Sequence, residues 1–183
     1  MEIILRDIEL WDLNDYLKLN HPDKEFHKFN WPYYKQNTLK DLENYVLEVK
    51  QKLENWEKEP ILDKKMIIDK QNNKLIWAVN WYWKSQETNW IEIWVVIFNE
   101  NYWGKWIWFQ ALKIWIQDIF LNFPNLVRIW LSTWSGNIRM MKLAEKLWLQ
   151  KEACYKKARI VNGEYYDSLS YWILKEDWYK INN

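Results

Sequence analysis

The stretch Phe98–Phe120, FNENYWGKWIWFQALKIWIQDIF, limits the fold more than any other part of the chain. It reads as the end of a strand, a tight loop over Asn99–Lys105 and a helix from about Trp106 to Phe120. Phe109, Leu112, Trp115, Ile116 and Ile119 recur at helical spacing, which fixes the helix. A strand that turns through Gly104 and Lys105 into a helix start aims unpaired backbone N–H groups at one point. Such a point suits an anion.

The elements on either side follow from the same kind of patterning. Glu2–Leu5 reads as a first strand and Leu10–Leu19 as a short helix. A polar loop over Asn20–Asn37 holds His21, His27 and the WPYY run Trp31–Tyr34. Thr38 caps a long helix, with Asp41 as its capping-box partner. Leu39, Leu42, Tyr45, Val46, Val49, Leu53 and Trp56 form that helix's apolar stripe, and Pro60 ends it. Leu62–Asp69, Lys74–Trp83 and Trp90–Phe98 carry β-branched and aromatic residues with polar turns between them, and read as an antiparallel meander. Val127–Ser132 is a further strand, and Asn137 opens a helix to about Leu147. Lys151–Ile160 and Tyr165–Leu174 are strands joined by Asn162-Gly163, a two-residue hairpin signal. With no internal repeat or linker, residues 1–183 are expected to form a single domain with a substantial core.

Charge and composition remove several classes of function. The 26 basic against 25 acidic residues point to neither nucleic acid nor an anionic membrane. The single Cys154 excludes an internal disulfide and suits a reducing cytosol, so a cytoplasmic protein is expected, as monomer or homodimer. Met1–Leu5 is a short strand-like run and not a signal peptide. No apolar run approaches the roughly 18 residues of a membrane span. His21 and His27 lack a Cys or carboxylate cluster, so no metal is expected. Trp81, Trp83 and Trp90 have the chemistry to stack bases, but a neutral chain makes them core or acceptor-pocket lining instead.

Tyr102-Trp103-Gly104-Lys105, in its strand–loop–helix setting, resembles the pyrophosphate loop of the GNAT N-acetyltransferases. The branch it resembles writes that loop Tyr-Trp-Gly-Lys-Gly-x-Gly. Trp31-Pro32-Tyr33, Thr133-Trp134-Ser135-Gly136-Asn137 and Glu176-Asp177-Trp178 make the chain similar to the ribosomal-protein N-terminal acetyltransferase (RimJ/RimL-like) branch. The resemblance spans about Ile4 to Trp178. It implies an α/β fold: a mixed, mostly antiparallel seven-stranded sheet flanked by about four helices. The implied activity is transfer of an acetyl group from acetyl-CoA directly to a primary amine, on a protein N-terminus or a small molecule.

The resemblance also distributes roles. Trp103, Gly104, Lys105, Trp106, Ile107 and Trp108 match the positions that hold the pyrophosphate. Val95, Val96 and Ile97 match the strand edge that hydrogen-bonds the pantetheine arm, and they are equally a core strand. Asn137 matches a cofactor-contacting Asn and is equally a helix N-cap. Lys142, with Arg139, is either a phosphate contact or an idle surface charge. Glu92 stands where relatives carry a base acting through a water, or is a plain strand carboxylate. The Tyr that many members use as general acid is replaced by Ala144. Tyr155 is the substitute carried forward, with Tyr165, Tyr166 and Glu152 behind it.

The composition departs from this family in one respect. There are 17 Trp and 3 Gly, where roughly 13 Gly are expected at about 7% usage. Trp31, Trp77, Trp94, Trp106, Trp108, Trp130, Trp148 and Trp172 sit where family members usually have Gly. One reading is that a single codon, UGA, means Gly in the source genome but was translated as Trp in this sequence. The other is a genuinely Trp-rich chain, in which Trp106 and Trp108 crowd the phosphates and leave a catalytically impaired GNAT-fold binding protein.

Overall fold

The computed structural model describes residues 2–55, 63–96 and 106–182, with Val96 described in its backbone only. Seven strands and five α-helices follow one another among these residues: β1 (Ile3–Arg6), α1 (Leu13–Leu19), α2 (Leu39–Glu54), β2 (Lys64–Asp69), β3 (Lys74–Ser85), β4 (Trp90–Val96), α3 (Ile107–Asn122), β5 (Arg128–Trp134), α4 (Ile138–Lys146), β6 (Gln150–Val161), β7 (Glu164–Leu174) and α5 (Lys175–Asn182). The strands hydrogen-bond in the order β1-β2-β3-β4-β5-β7-β6, and the sheet is mixed and mostly antiparallel. The sequence reading gave about four helices. The additional one is α5, whose eight residues are too few for a periodic pattern to stand out. Trp178 anchors it, fully buried and donating through Nε1 to Gln117 Oε1 of α3 at 3.0 Å.

The chain forms two compact units, Met1–Val79 with Val96–Ile107, and Asn80–Val95 with Trp108–Asn183. In the first, β1 pairs antiparallel with β2 from Ile3↔Asp69 to Arg6↔Met66, and Met66, Ile67 and Ile68 are buried. Thr38 accepts from the Asp41 N–H while Asp41 accepts from the Thr38 N–H, the reciprocal cap expected of α2. The α2 stripe is shallower than its pattern suggests, with Val49 alone fully buried; Trp56 and Pro60 lie outside the described residues. Lys64 ties this helix to α1, its Nζ donating to Tyr16 Oη at 2.7 Å and Tyr45 Oη at 3.2 Å. Burial pushes the Tyr16 phenol up to about 12.

In the second unit α3 buries Ala111, Leu112, Trp115, Ile116, Ile119 and Phe120, so the predicted stripe is the buried face except at Phe109, which is only part-buried. β5 and β7 pair antiparallel without a break, from Arg128↔Leu174 to Trp134↔Ser168. The turn between β6 and β7 carries Asn162 (φ 51) and Gly163 (φ 83), both left-handed, as the Asn-Gly pair requires. Gly136 has no room for a side chain, because a Cβ there would enter the ring of Trp134. Trp81 and Trp83 pack edge-on against Phe123, at 5.1 and 5.6 Å between centroids, whereas Trp90 meets Trp130. The three do not form one stacking surface.

β6 bulges between Tyr155 and Arg159. Asp167 of β7 holds the bulge, its Oδ2 accepting from Lys156 Nζ at 2.8 Å and its Oδ1 from the Lys157 N–H at 3.0 Å. The Lys156 ammonium and then the Lys157 N–H hold the Asp167 carboxyl down at about 2, against an ordinary 3.8. Because the folded value is the lower one, these bonds stabilise fully above about pH 4 and are lost as pH falls through about 2. A carboxyl-detected NMR titration is expected to find the Asp167 midpoint near 2. Asp167→Asn is expected to speed amide exchange at Lys157.

Candidate active site

Alternation along β4 divides its side chains between two faces. Ile91, Ile93 and Val95 are buried on one, while Trp90, Glu92 and Trp94 point to the other. β4 runs parallel to β5, but they are in register for only two pairs, Ile91↔Ile129 and Glu92↔Trp130. Past Glu92 the ladder stops. Ile93, Trp94 and Val95 do not pair with β5, although β5 stays paired with β7 to its end. The facing backbone groups of β4 and β5 are thus left to hydrogen-bond an extended, amide-bearing ligand, as a sheet edge accepts a peptide. The pantetheine arm of coenzyme A is such a ligand, so the residues present fit it.

Glu92 sits where the two strands part. Its side chain is 3% exposed, and Oε2 lies 3.3 Å from Nζ of Lys84 on β3, which is 42% exposed. Beside it on the same face, the Arg128 guanidinium lies 3.4 Å from the Trp130 ring centre and 4.5 Å from that of Trp172. Arg128 Nη2 donates to both Glu152 oxygens at 2.9 Å, and Trp130 Nε1 donates to Glu152 Oε2 at 2.8 Å. Burial raises the Glu152 carboxyl, but the bonds from Arg128 and Trp130 outweigh it and hold it below the usual carboxylate range. Three donated hydrogen bonds thus occupy both Glu152 oxygens.

The other expected site residues divide as follows. Val95 is buried on β4; Ile97, Trp103, Gly104 and Lys105 lie outside the described residues. Ile107 and Trp108 are buried in the first turn of α3, and Trp106 precedes it, 65% exposed. No acidic residue stands in that turn to repel an anion. Asn137 is the N-cap of α4, Oδ1 accepting from the Met140 N–H at 3.1 Å, and Lys142 is exposed one turn on. Ala144 is fully buried in α4. Tyr155 is not brought to Glu92: it lies on edge strand β6, 62% exposed. Three strand spacings separate them, roughly 14 Å across the sheet. Lys84 and Arg128 escaped the sequence reading. Only strand register shows them next to Glu92 and the Trp pair.

The sequence model of the acetyltransferase (GNAT) domain matches residues 2–149. The chain belongs to the GNAT acetyltransferase family. It is accordingly an acyltransferase whose co-substrate is acetyl-CoA. Solved GNAT-like structures agree in fold. An acetyltransferase (GNAT family) from Bacillus anthracis is 22% identical over 96% of both chains, with a TM-score of 0.75. Spermidine N-acetyltransferase from Vibrio cholerae, solved with CoA and spermine, is 20% identical over 97% of this chain and 98% of its own, with a TM-score of 0.74. Among curated proteins no sequence matches the chain. No described helix is long and apolar enough to cross a membrane. No three described His, Cys, Asp or Glu residues form a metal-holding group.

Proposed function

We propose that this GNAT enzyme acetylates a primary amine, with Glu92 as the base that takes the proton from the acceptor ammonium through a water. The observation that carries the reading is the parting of β4 from β5 immediately past that buried carboxylate. When bound, acetyl-CoA supplies the acyl group as a thioester and a thiolate leaving group. The chain's own part is to bind and to move a proton. Val95, Val96 and Ile97 offer backbone groups to the pantetheine arm. Residues 103–108 offer N–H groups to the pyrophosphate, and Asn137 and Lys142 lie on the helix that follows β5. Glu92 accepts one proton, leaving the amine lone pair free to attack the thioester carbon.

The acceptor is a small polyamine or a protein N-terminus. The spermine-bound Vibrio cholerae neighbour supports the first and the RimJ/RimL-like motifs support the second. Free-thiol release from acetyl-CoA is to be followed with spermidine and with a ribosomal-protein N-terminal peptide. Release that depends on one of them identifies the acceptor class. Saturable coenzyme A binding without transfer to any primary amine overturns the reading.

A second reading is a GNAT-fold binding protein without catalysis. It is favoured by Trp106, whose indole stands exposed at the start of α3. Calorimetric titration tests it: saturable acetyl-CoA binding by the Trp form shows that the loop adapts and overturns this reading, whereas binding only after Trp106 and Trp108 are replaced by Gly favours a Gly codon translated as Trp.

A further inference from the structure

We infer that Lys84 is a positioning residue for the reaction, acting through Glu92; this rests on the reading of Glu92 as the base. A carboxylate withdrawn from water stays charged only beside a compensating cation. Among the described residues Lys84 is the cation in contact with Glu92, through Oε2 at 3.3 Å. It reaches across from β3, the strand on the side away from the split, so it leaves the edge toward β5 open. Being half exposed, Lys84 keeps its own charge solvated while fixing the buried carboxylate at the apex. The transferred proton moves from the acceptor ammonium through a water to Glu92, and Lys84 is not on that path.

The test is a kinetic cycle of Lys84→Met, Glu92→Gln and the double variant, with Lys84→Arg as the conservative exchange. Lys84→Met is expected to lower kcat about tenfold or more, less than the 10²–10⁴-fold that loss of the general base itself costs, and to leave KM for acetyl-CoA unchanged. Lys84→Arg is expected to restore most of the loss, and the double variant to be no slower than Glu92→Gln alone. A merely structural ion pair would lower the melting temperature but not kcat per folded molecule. Full kcat in Lys84→Met, or losses that multiply in the double variant, overturns the inference. Full activity in Glu92→Gln overturns the base assignment instead.

A separate observation concerns the excess of Trp. α4 ends in a Schellman motif: the Leu149 N–H bonds to the Ala144 carbonyl at 3.0 Å and the Trp148 N–H to that of Glu145 at 3.0 Å. This closure puts Trp148 in the left-handed region, φ 58, at the position usually filled by Gly. Trp31 is left-handed too, φ 53. Three of the other left-handed non-glycine residues are Asn73, Asn89 and Asn162, which tolerate the region, whereas a bulky side chain does not. The Trp148 ring is half exposed and meets Phe109 at 6.3 Å between centroids, so packing offers little in return. The geometry points to glycine at 31 and 148 in the polypeptide made by the source cell. Peptide mass spectrometry of protein purified from that cell is expected to read Gly at 31 and 148, and recombinant Trp148→Gly to melt at a higher temperature. Trp at both positions in the native protein overturns the inference.

Discussion

Glu92→Gln is expected to lower kcat by about 10²–10⁴-fold, the range a positioned general base contributes, with KM for acetyl-CoA nearly unchanged. The exchange keeps the size of a buried side chain and removes its ability to take a proton. It leaves the β4 backbone that faces the split untouched, which is why binding of the co-substrate should survive. Steady-state kinetics with a melting curve on the same sample check both halves of the statement. A variant that is folded and keeps more than half of its kcat moves the base elsewhere.

Arg6→Met is expected to have the largest effect on folding. Arg6 Nη1 lies 2.6 Å from Asp12 Oδ2 and Nη2 lies 3.0 Å from Oδ1, a two-pronged pair in which Asp12 is 2% exposed. Asp12 Oδ2 also accepts from the Glu9 N–H at 2.9 Å, which closes the turn before α1. Removing the guanidinium strands a buried carboxylate, at a cost of about 3–5 kcal/mol. For a chain of this length that corresponds to a drop in Tm of about 6–20 °C. Arg6→Lys, which keeps the charge but not the fork, should recover part of the loss. Urea unfolding of the three proteins measures it, and a loss under about 1 kcal/mol for Arg6→Met would mean the pair is as weak as a surface one.

How much of this was legible in the chain can be seen residue by residue. The helical stripe of α3, the meander and the Asn162-Gly163 turn are local facts, set by spacing and by backbone preference. Sequence spacing alone places the ends of β3, α3, β5 and β7 within two residues of those observed. Glu92 was also legible, because the resemblance puts a carboxylate in that strand. Its partner was not. Lys84 and Glu92 are eight positions apart around a turn, and only the register of β3 against β4 brings them together. The Arg128 stack depends in the same way on β5, β7 and β6 lying side by side. The role considered for Tyr155 illustrates the converse: its chemistry was suitable, but strand order sets it at the sheet edge. The strain at Trp148 was visible only as a composition anomaly until α4 was seen to close on it.

The seam in the sheet has a consequence for how the enzyme lives with its co-substrate. β5 is laced to β7 over seven residue pairs and to β4 over two. An extended molecule lying in that seam would serve as a borrowed strand, supplying the cross-links the polypeptide itself omits. Whatever binds the native state alone also holds it against unfolding. With coenzyme as that borrowed strand, the fold would be at its most fragile when coenzyme is scarce, and metabolic supply would reach into the durability of the protein as well as its turnover.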